Sequence, residues 1–209
     1  MSDSCEQAAE RAALAYLAEQ LGERAPGALR LAGAFDERPL EGEGRAVVFA
    51  FELPGGDAAC GASPRPHYVV AGQTEPNYFP AYEMTADEAY SFHIGTRFML
   101  VMGISKIDTQ LEPPGAREAL RRFVASYARG ATVQEESLAG LFRCEEAVFA
   151  VYRLVLDGEP VYCLGGDCPP GFYRRCAEPP QMVLRLHLGQ AIRAEARAAY
   201  NPPDDATQA

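Results

Sequence analysis

Two periods of apolar residues, one helical and one strand-like, alternate along this chain in the same order twice. Residues 5–22 open it as a helical segment, where Asp3 or Ser4 can cap the free amides and Gly22 ends the run. Residues 116–129 form a second such segment between Pro113-Pro114-Gly115 and Gly130, with Ala116, Leu120, Phe123, Val124 and Tyr127 at helical spacing. Three segments rich in β-branched and aromatic residues follow each helix. They are 29–35, 45–53 and 66–72 in the first case, and 136–142, 146–156 and 160–165 in the second. Asp157-Gly158 between the last two is a hairpin signal.

A closing helix is predicted for each half. Thr85-Ala86-Asp87-Glu88 has the form of a capping box and opens residues 86–102. Pro180 stands where Ala86 stands and suits a first helical turn, so residues 180–199 are predicted as a helix as well. Leu184-Arg185-Leu186-His187-Leu188 alternates as a strand would, but the cap signals agree in both copies and decide for helix.

The recurrence extends to identities. Leu31-Ala32-Gly33-Ala34-Phe35 returns as Leu138-Ala139-Gly140-Leu141-Phe142, and Ala46–Leu53 returns as Ala147–Leu154. At one constant offset Tyr68, Gly72, Pro76, His93 and Gly95 return as Tyr162, Gly166, Pro170, His187 and Gly189. The offset changes only within Pro39–Gly44 and Pro54–Pro66, where loops tolerate insertion. This reads as an internal duplication. The expected architecture is α+β: an α-β-β-β-α unit occurring twice, its two small antiparallel sheets and flanking helices packed as a pseudo-twofold pair. Residues 1–105 hold the first repeat, 106–200 the second, and 201–209 a disordered tail.

Charge narrows the partners. The 209 residues carry 19 basic and 29 acidic side chains, a net of −10. A nucleic-acid backbone calls for clustered cations, and an anionic membrane surface does too, so neither is expected as a partner. Residues 1–105 hold 7 basic and 15 acidic residues, against 12 and 14 in 106–209. Lys106 is the single lysine among the 19 basic residues, which reads as codon bias in a GC-rich bacterial genome. Double-stranded-RNA-binding modules share the α-β-β-β-α order, but they meet phosphate with a basic helix start, whereas Thr85-Ala86-Asp87-Glu88 is acidic. The acidic N-terminus lacks a signal-peptide core, and the longest apolar run, Phe98-Met99-Leu100-Val101-Met102, is far too short to span a bilayer. A soluble, cytoplasmic protein with six reduced cysteines is expected.

Nucleotide-loop, dinucleotide, nucleophile-elbow and zinc-protease motifs are all missing. Four features carry candidate chemistry. His93 and His187, each followed by one residue and a glycine, could hold a metal or heme if the halves face each other. Cys163, Cys168 and Cys176, with His187, could form a closed zinc site. The segment Gln73–Tyr82 offers Glu75, Asn77, Tyr78, Phe79 and Tyr82 as an aromatic interaction surface stiffened by two prolines. Arg174, Arg175, Arg185, Arg193 and Arg197 cluster late and could pair with the acidic first half.

The leading reading is a non-catalytic, acidic binding protein of chaperone, immunity or adaptor type, whose protein partner has a basic surface; homodimer formation is a further mode open to it. No cofactor is expected under this reading. The alternatives are a zinc or heme protein using the histidines or the cysteine cluster, and a small-molecule protein whose seam between repeats is lined by Tyr68, Tyr78, Tyr162 and Phe172.

Overall fold

The computed structural model describes residues 5–36, 45–53, 66–72, 75–80, 84–108, 112–174 and 179–200. Its elements are α1 (Cys5–Leu21), β1 (Arg30–Phe35), β2 (Ala46–Phe51), β3 (His67–Gly72), β4 (Asn77–Phe79), α2 (Ala86–Val101), β5 (Ser105–Ile107), α3 (Ala116–Tyr127), β6 (Val133–Cys144), β7 (Ala147–Leu156), β8 (Glu159–Gly166), β9 (Gly171–Tyr173) and α4 (Pro180–Tyr200). Among the described residues four α-helices and two antiparallel sheets make an α+β fold, with strand orders β1-β2-β3-β4 and β5-β6-β7-β8-β9. Every helix and strand expected from the apolar pattern is present within a few residues of its bounds. The additional strands β4, β5 and β9 are three residues each, too short to show a period.

The chain divides into two compact units, one of Met1–Ile94 with Gly189–Ala209 and one of Gly95–Leu188. The division passes through α2 after Ile94 and through α4 after Leu188, which are the matching positions in the repeated His-x-Gly sequences. No helix among the described residues is long and apolar enough to cross a membrane.

In the first unit α1 lays Ala9, Ala13 and Leu17 on one face of its sheet, against Val47, Phe49, Phe51, Val69 and Ala71. The alternate residues Val48, Ala50, Tyr68 and Val70 are also buried, so the central strand β2 is covered on both faces. That explains its continuous apolar run in place of an in–out alternation. Phe79 and Phe92 meet on the second face at 6.0 Å, and Phe35 stacks on Tyr90 at 4.6 Å. The α2 cap forms as expected: the Glu88 amide donates to Thr85 Oγ1 at 3.2 Å, and the Thr85 amide donates to Glu88 Oε2 at 2.8 Å.

In the second unit α3 places Ala116, Leu120 and Val124 on Leu141, Ala150, Tyr152, Leu154, Leu156, Val161 and Cys163. The other face collects Phe142, Phe149, Val151, Tyr162 and Leu164 beneath Met99 of α2 and Val183, Leu184 and Leu188 of α4. A Cβ on Gly95 would lie 1.8 Å from the Arg185 carbonyl oxygen, so the two helix backbones touch there. Asp157 and Gly158 both take positive φ, 50° and 84°, in the tight β7–β8 turn.

The two sheets share a local detail. The β1–β2 register slips between Leu31 and Gly33, and the β6–β7 register slips between Leu138 and Gly140, at the same Leu-Ala-Gly sequence. In both places the glycine leaves room for the ring two residues on, Phe35 or Phe142, at 3.1 and 3.2 Å from a would-be Cβ.

Candidate functional site

His187 lies on α4 and is 7% exposed. Its Nδ1 is 2.9 Å from the Tyr173 hydroxyl, and its Nε2 makes no hydrogen bond of good geometry among the described residues. Strand β9 can lie against the ring because Gly171 lacks a side chain; a Cβ there would come within 2.6 Å of Nδ1. Burial lowers the His187 pKa, and the Pro169 backbone offsets this in part. Burial also raises the Tyr173 phenol and, assisted by Asp167, lifts the Cys168 thiol to about 11. At neutral pH this cluster is therefore an imidazole, a phenol and a thiol, all uncharged. It carries no activated nucleophile, because the thiolate is the reactive form.

Each of the other described candidate ligands has its own surroundings. Cys163 is on β8 with its side chain in the α3-facing core, whereas Cys168 and Tyr173 border the core on the opposite face of that sheet. Successive residues of a strand point to opposite faces, so Cys163 is turned away from the side occupied by α4. His93 is buried in α2 of the first unit, with its ring 6.5 Å from that of Tyr90. Cys176 lies outside the described residues. Among the described residues no three His, Cys, Asp or Glu side chains come together in a group that could hold a metal.

The aromatic segment divides between two faces. Asn77–Phe79 is the edge strand β4, paired to β3 through Tyr68–Phe79, Val69–Tyr78 and Val70–Asn77. Phe79 is buried against α2, while Tyr78 turns to the α1 side and its hydroxyl meets His67 Nδ1 at 2.7 Å. Phe51 completes this group of rings, 5.4 Å from His67 and 5.8 Å from Tyr78. Glu75 is exposed and Asn77 half-buried at the same edge, and Tyr82 falls outside the described residues. Tyr68 is buried on β3; Tyr162 and Phe172 lie on opposite faces of the second sheet.

The described late arginines have their partners within their own units. Arg193 is buried, donating to Asp87 Oδ1 at 2.7 Å, to the Asp87 carbonyl at 2.8 Å and to Ser91 Oγ at 2.6 Å. Its guanidinium also sits 4.6 Å from the Tyr90 ring centre and 5.1 Å from that of Phe35. Arg197 approaches the same Asp87 oxygen at 3.6 Å, and Arg174 reaches Glu159 at 3.7 Å. Arg185 leans on the Met182 sulfur, and Arg175 is outside the described residues.

A second polar group escaped the sequence reading. Arg117 on α3 binds Glu112 through two guanidinium nitrogens and Glu136 of β6 at 2.9 Å, while Arg121 grips Glu136 at 2.9 Å. The buried Tyr152 hydroxyl donates to Glu112 Oε2 at 3.1 Å. The Arg117 hydrogen bond lowers the Glu112 pKa; burial raises that of Tyr152. The neighbouring groove, about 370 Å³, is lined by Arg121, Val133, Gln134, Glu135 and Glu136. Its Arg121 and Glu136 are already committed to each other, which leaves the group suited to fixing α3 on the sheet rather than to seizing a charged ligand.

The two units differ in charge. The unit of residues 1–94 and 189–209 holds 8 basic and 18 acidic side chains, a net of −10. The unit of residues 95–188 holds 11 of each and is neutral. The whole excess belongs to one unit. Set against known proteins, the chain matches no family model, no curated protein and no solved structure.

Proposed function

We propose that the chain is a non-catalytic cytoplasmic binding protein of chaperone, immunity or adaptor type, whose acidic unit meets a protein partner with a basic surface. The segregation of charge carries this reading: a net of −10 on one unit beside a net of zero on the other. Likeness in strand order, bulge position and repeated sequence supports descent of both halves from one duplicated unit. On that view one copy has diverged in charge while both have kept their cores. A field of one sign attracts an oppositely charged partner at long range, raising the association rate more than it deepens the final complex. The edge of β4, last in its sheet among the described residues, with exposed Glu75 and half-buried Asn77 and Tyr78, is the contact surface we assign within that unit. Phe79 anchors that strand from beneath.

The test is capture of the partner by the full chain, its identification, and stopped-flow measurement of association across ionic strength. The association rate should fall about tenfold or more between low and physiological salt, and Glu75→Lys with Asn77→Ala should slow it further. An association rate indifferent to salt would overturn the reading. A stoichiometric zinc or heme in the purified protein, lost on replacing His93 or His187, would favour the metal-binding alternative instead.

A further inference from the structure

We infer that the neutral unit carries an anion-binding site at Arg185, which takes the phosphate or carboxylate group of a small molecule. Arg185 is half-buried in α4, and its Nε is shut off from solvent without a hydrogen bond. The bond it does make runs from Nη1 to the Met182 sulfur at 3.6 Å, and a thioether is a weak acceptor. No ion pair reaches Arg185 among the described residues. Other arginines drawn into the fold each hold a carboxylate: Arg45 has Glu6, Arg117 has Glu112 and Glu136, and Arg193 has Asp87. A guanidinium that gives up water without gaining an anion is costly to bury, and burial alone lowers the Arg185 pKa.

Comparison of the two units shows which group is missing. By the constant offset that relates His93 to His187, Asp87 corresponds to Gln181, Tyr90 to Leu184, Ser91 to Arg185 and Arg193 to Met99. The packing follows this correspondence. Arg193 sits on Phe35 and Tyr90 in the first unit, and Met99 shares a buried cluster with Phe142 and Leu184 in the second. The first unit therefore answers its buried cation, Arg193, with the carboxylate of Asp87. The second carries a cation at Arg185 and has the neutral Gln181 where the carboxylate would stand.

A ligand can reach this guanidinium and be held there. Arg185 Nη2 makes no hydrogen bond and stays open to solvent. Helical side chains lean toward the N-terminus of their helix, which sets the guanidinium beside Met182, and exposed Gln181 lies on the same helix face one turn earlier. The planar fork of a guanidinium matches two oxygens of one phosphate or carboxylate, and the Gln181 amide offers a further donor. The backbone contact with Gly95 fixes Arg185 in place, so the fork is presented from a rigid element. This unit has no net charge, so it does not repel an anion as a unit of net −10 would. The inference does not depend on the proposed basic partner.

Titration of the full chain with sodium phosphate, at an ionic strength held constant with sodium chloride, tests it. The readouts are the midpoint of thermal unfolding and the arginine Nε–H resonance that Arg185→Met removes. Both should shift saturably, with half-saturation at about millimolar anion, and the midpoint should rise about 4 °C at ten times that concentration. Sodium acetate forms a second arm and shows which of the two oxyanions the site prefers. Arg185→Met should abolish the saturable rise and keep only the gradual stabilisation that phosphate gives any protein. Gln181→Glu puts a carboxylate at the position of Asp87, one turn before Arg185. It should abolish the rise too while lifting the midpoint in chloride, and it provides the same test should Arg185→Met fail to fold. Lack of a saturable response to either anion would overturn the inference. So would an undiminished response in either variant.

Discussion

Arg193 lies 106 residues from Asp87 in sequence and 2.7 Å from its carboxylate in space, with its guanidinium buried and stacked on Tyr90 and Phe35. The bond ties the second half of α4 to the first turn of α2 within one unit. Removing the cation removes three hydrogen bonds and two ring contacts together, so Arg193→Ala should cost about 3 kcal/mol in urea unfolding. Asp87→Ala should cost less, about 1 kcal/mol, because its carboxylate is half exposed and the Asp87 carbonyl and Ser91 still hold the guanidinium. The Arg193 hydrogen bond holds the Asp87 pKa below 3.8. The unfolded chain therefore binds the extra proton first, and this contribution is complete above that value and lost as pH falls beneath it. A double-mutant cycle showing no coupling between the two residues would refute the clasp.

The contact between Gly95 and the Arg185 backbone makes a second prediction. A methyl group on Gly95 would sit 1.8 Å from a carbonyl oxygen, and no rotamer relieves a clash with backbone. Gly95→Ala should destabilise the protein by about 3 kcal/mol or more, visible as a lowered midpoint of thermal unfolding. Gly103 provides the contrast. Its space is open, so Gly103→Ala should incur only the strain of its positive φ, about 1 kcal/mol. Equal losses for the two variants would argue against helix contact at Gly95.

Local chemistry made most of this fold legible. Thr85 and Glu88 announce a helix start because their bonds close within three residues, and Asp157-Gly158 announces a turn because both residues tolerate positive φ. The Leu-Ala-Gly repeat was visible as sequence, and both copies lie at register slips. What stayed hidden depends on distant partners. Asn77–Phe79 becomes a strand only because β3 offers an edge. The Leu184–Leu188 alternation, which the cap signals had already decided for helix, reflects a helix buried at Val183, Leu184, Leu186, His187 and Leu188, apolar on nearly every side. The cysteine spacing gave no sign that Cys163 and Cys168 would border opposite faces of one sheet. Likewise, Phe98–Met102 stood out only as too short for a membrane span, whereas the fold buries Met99 and leaves Leu100 and Val101 exposed.

The Glu112–Tyr152–Arg117–Glu136 group predicts unequal losses from its members. Tyr152→Phe removes one hydrogen bond and leaves Glu112 its two bonds to Arg117, so it should cost about 1 kcal/mol. Arg117→Ala strips Glu112 of its cation, leaves Glu136 to Arg121 alone and removes the contact over the Tyr152 ring. It should cost about 2 kcal/mol and loosen α3, read as faster amide exchange at Leu120 and Val124. Exchange confined to other elements would show that the group does not hold this helix.

Acid should weaken the protein through two histidines whose protonation the fold opposes. Burial lowers the pKa of His187, on α4, and of His67, on β3, below the usual 6.5. Each is neutral in the folded chain and, in the window just below 6.5, would take up a proton more readily when unfolded. The unfolded state thus binds more protons there, and stability rises with pH through that window. The stability of the neutral rings is complete above 6.5 and diminishes as pH falls below it. The Tyr173 hydroxyl, 2.9 Å from His187 Nδ1, and the adjacent Cys168 thiol are uncharged, so neither offers the imidazolium a counter-ion. His187→Asn keeps an acceptor near Nδ1 and cannot titrate; it should lower stability at about pH 8 yet flatten the decline toward about pH 5. Urea midpoints across that range decide the matter: a variant whose midpoint falls as steeply as that of the wild type would show that His187 is not a source of the acid sensitivity.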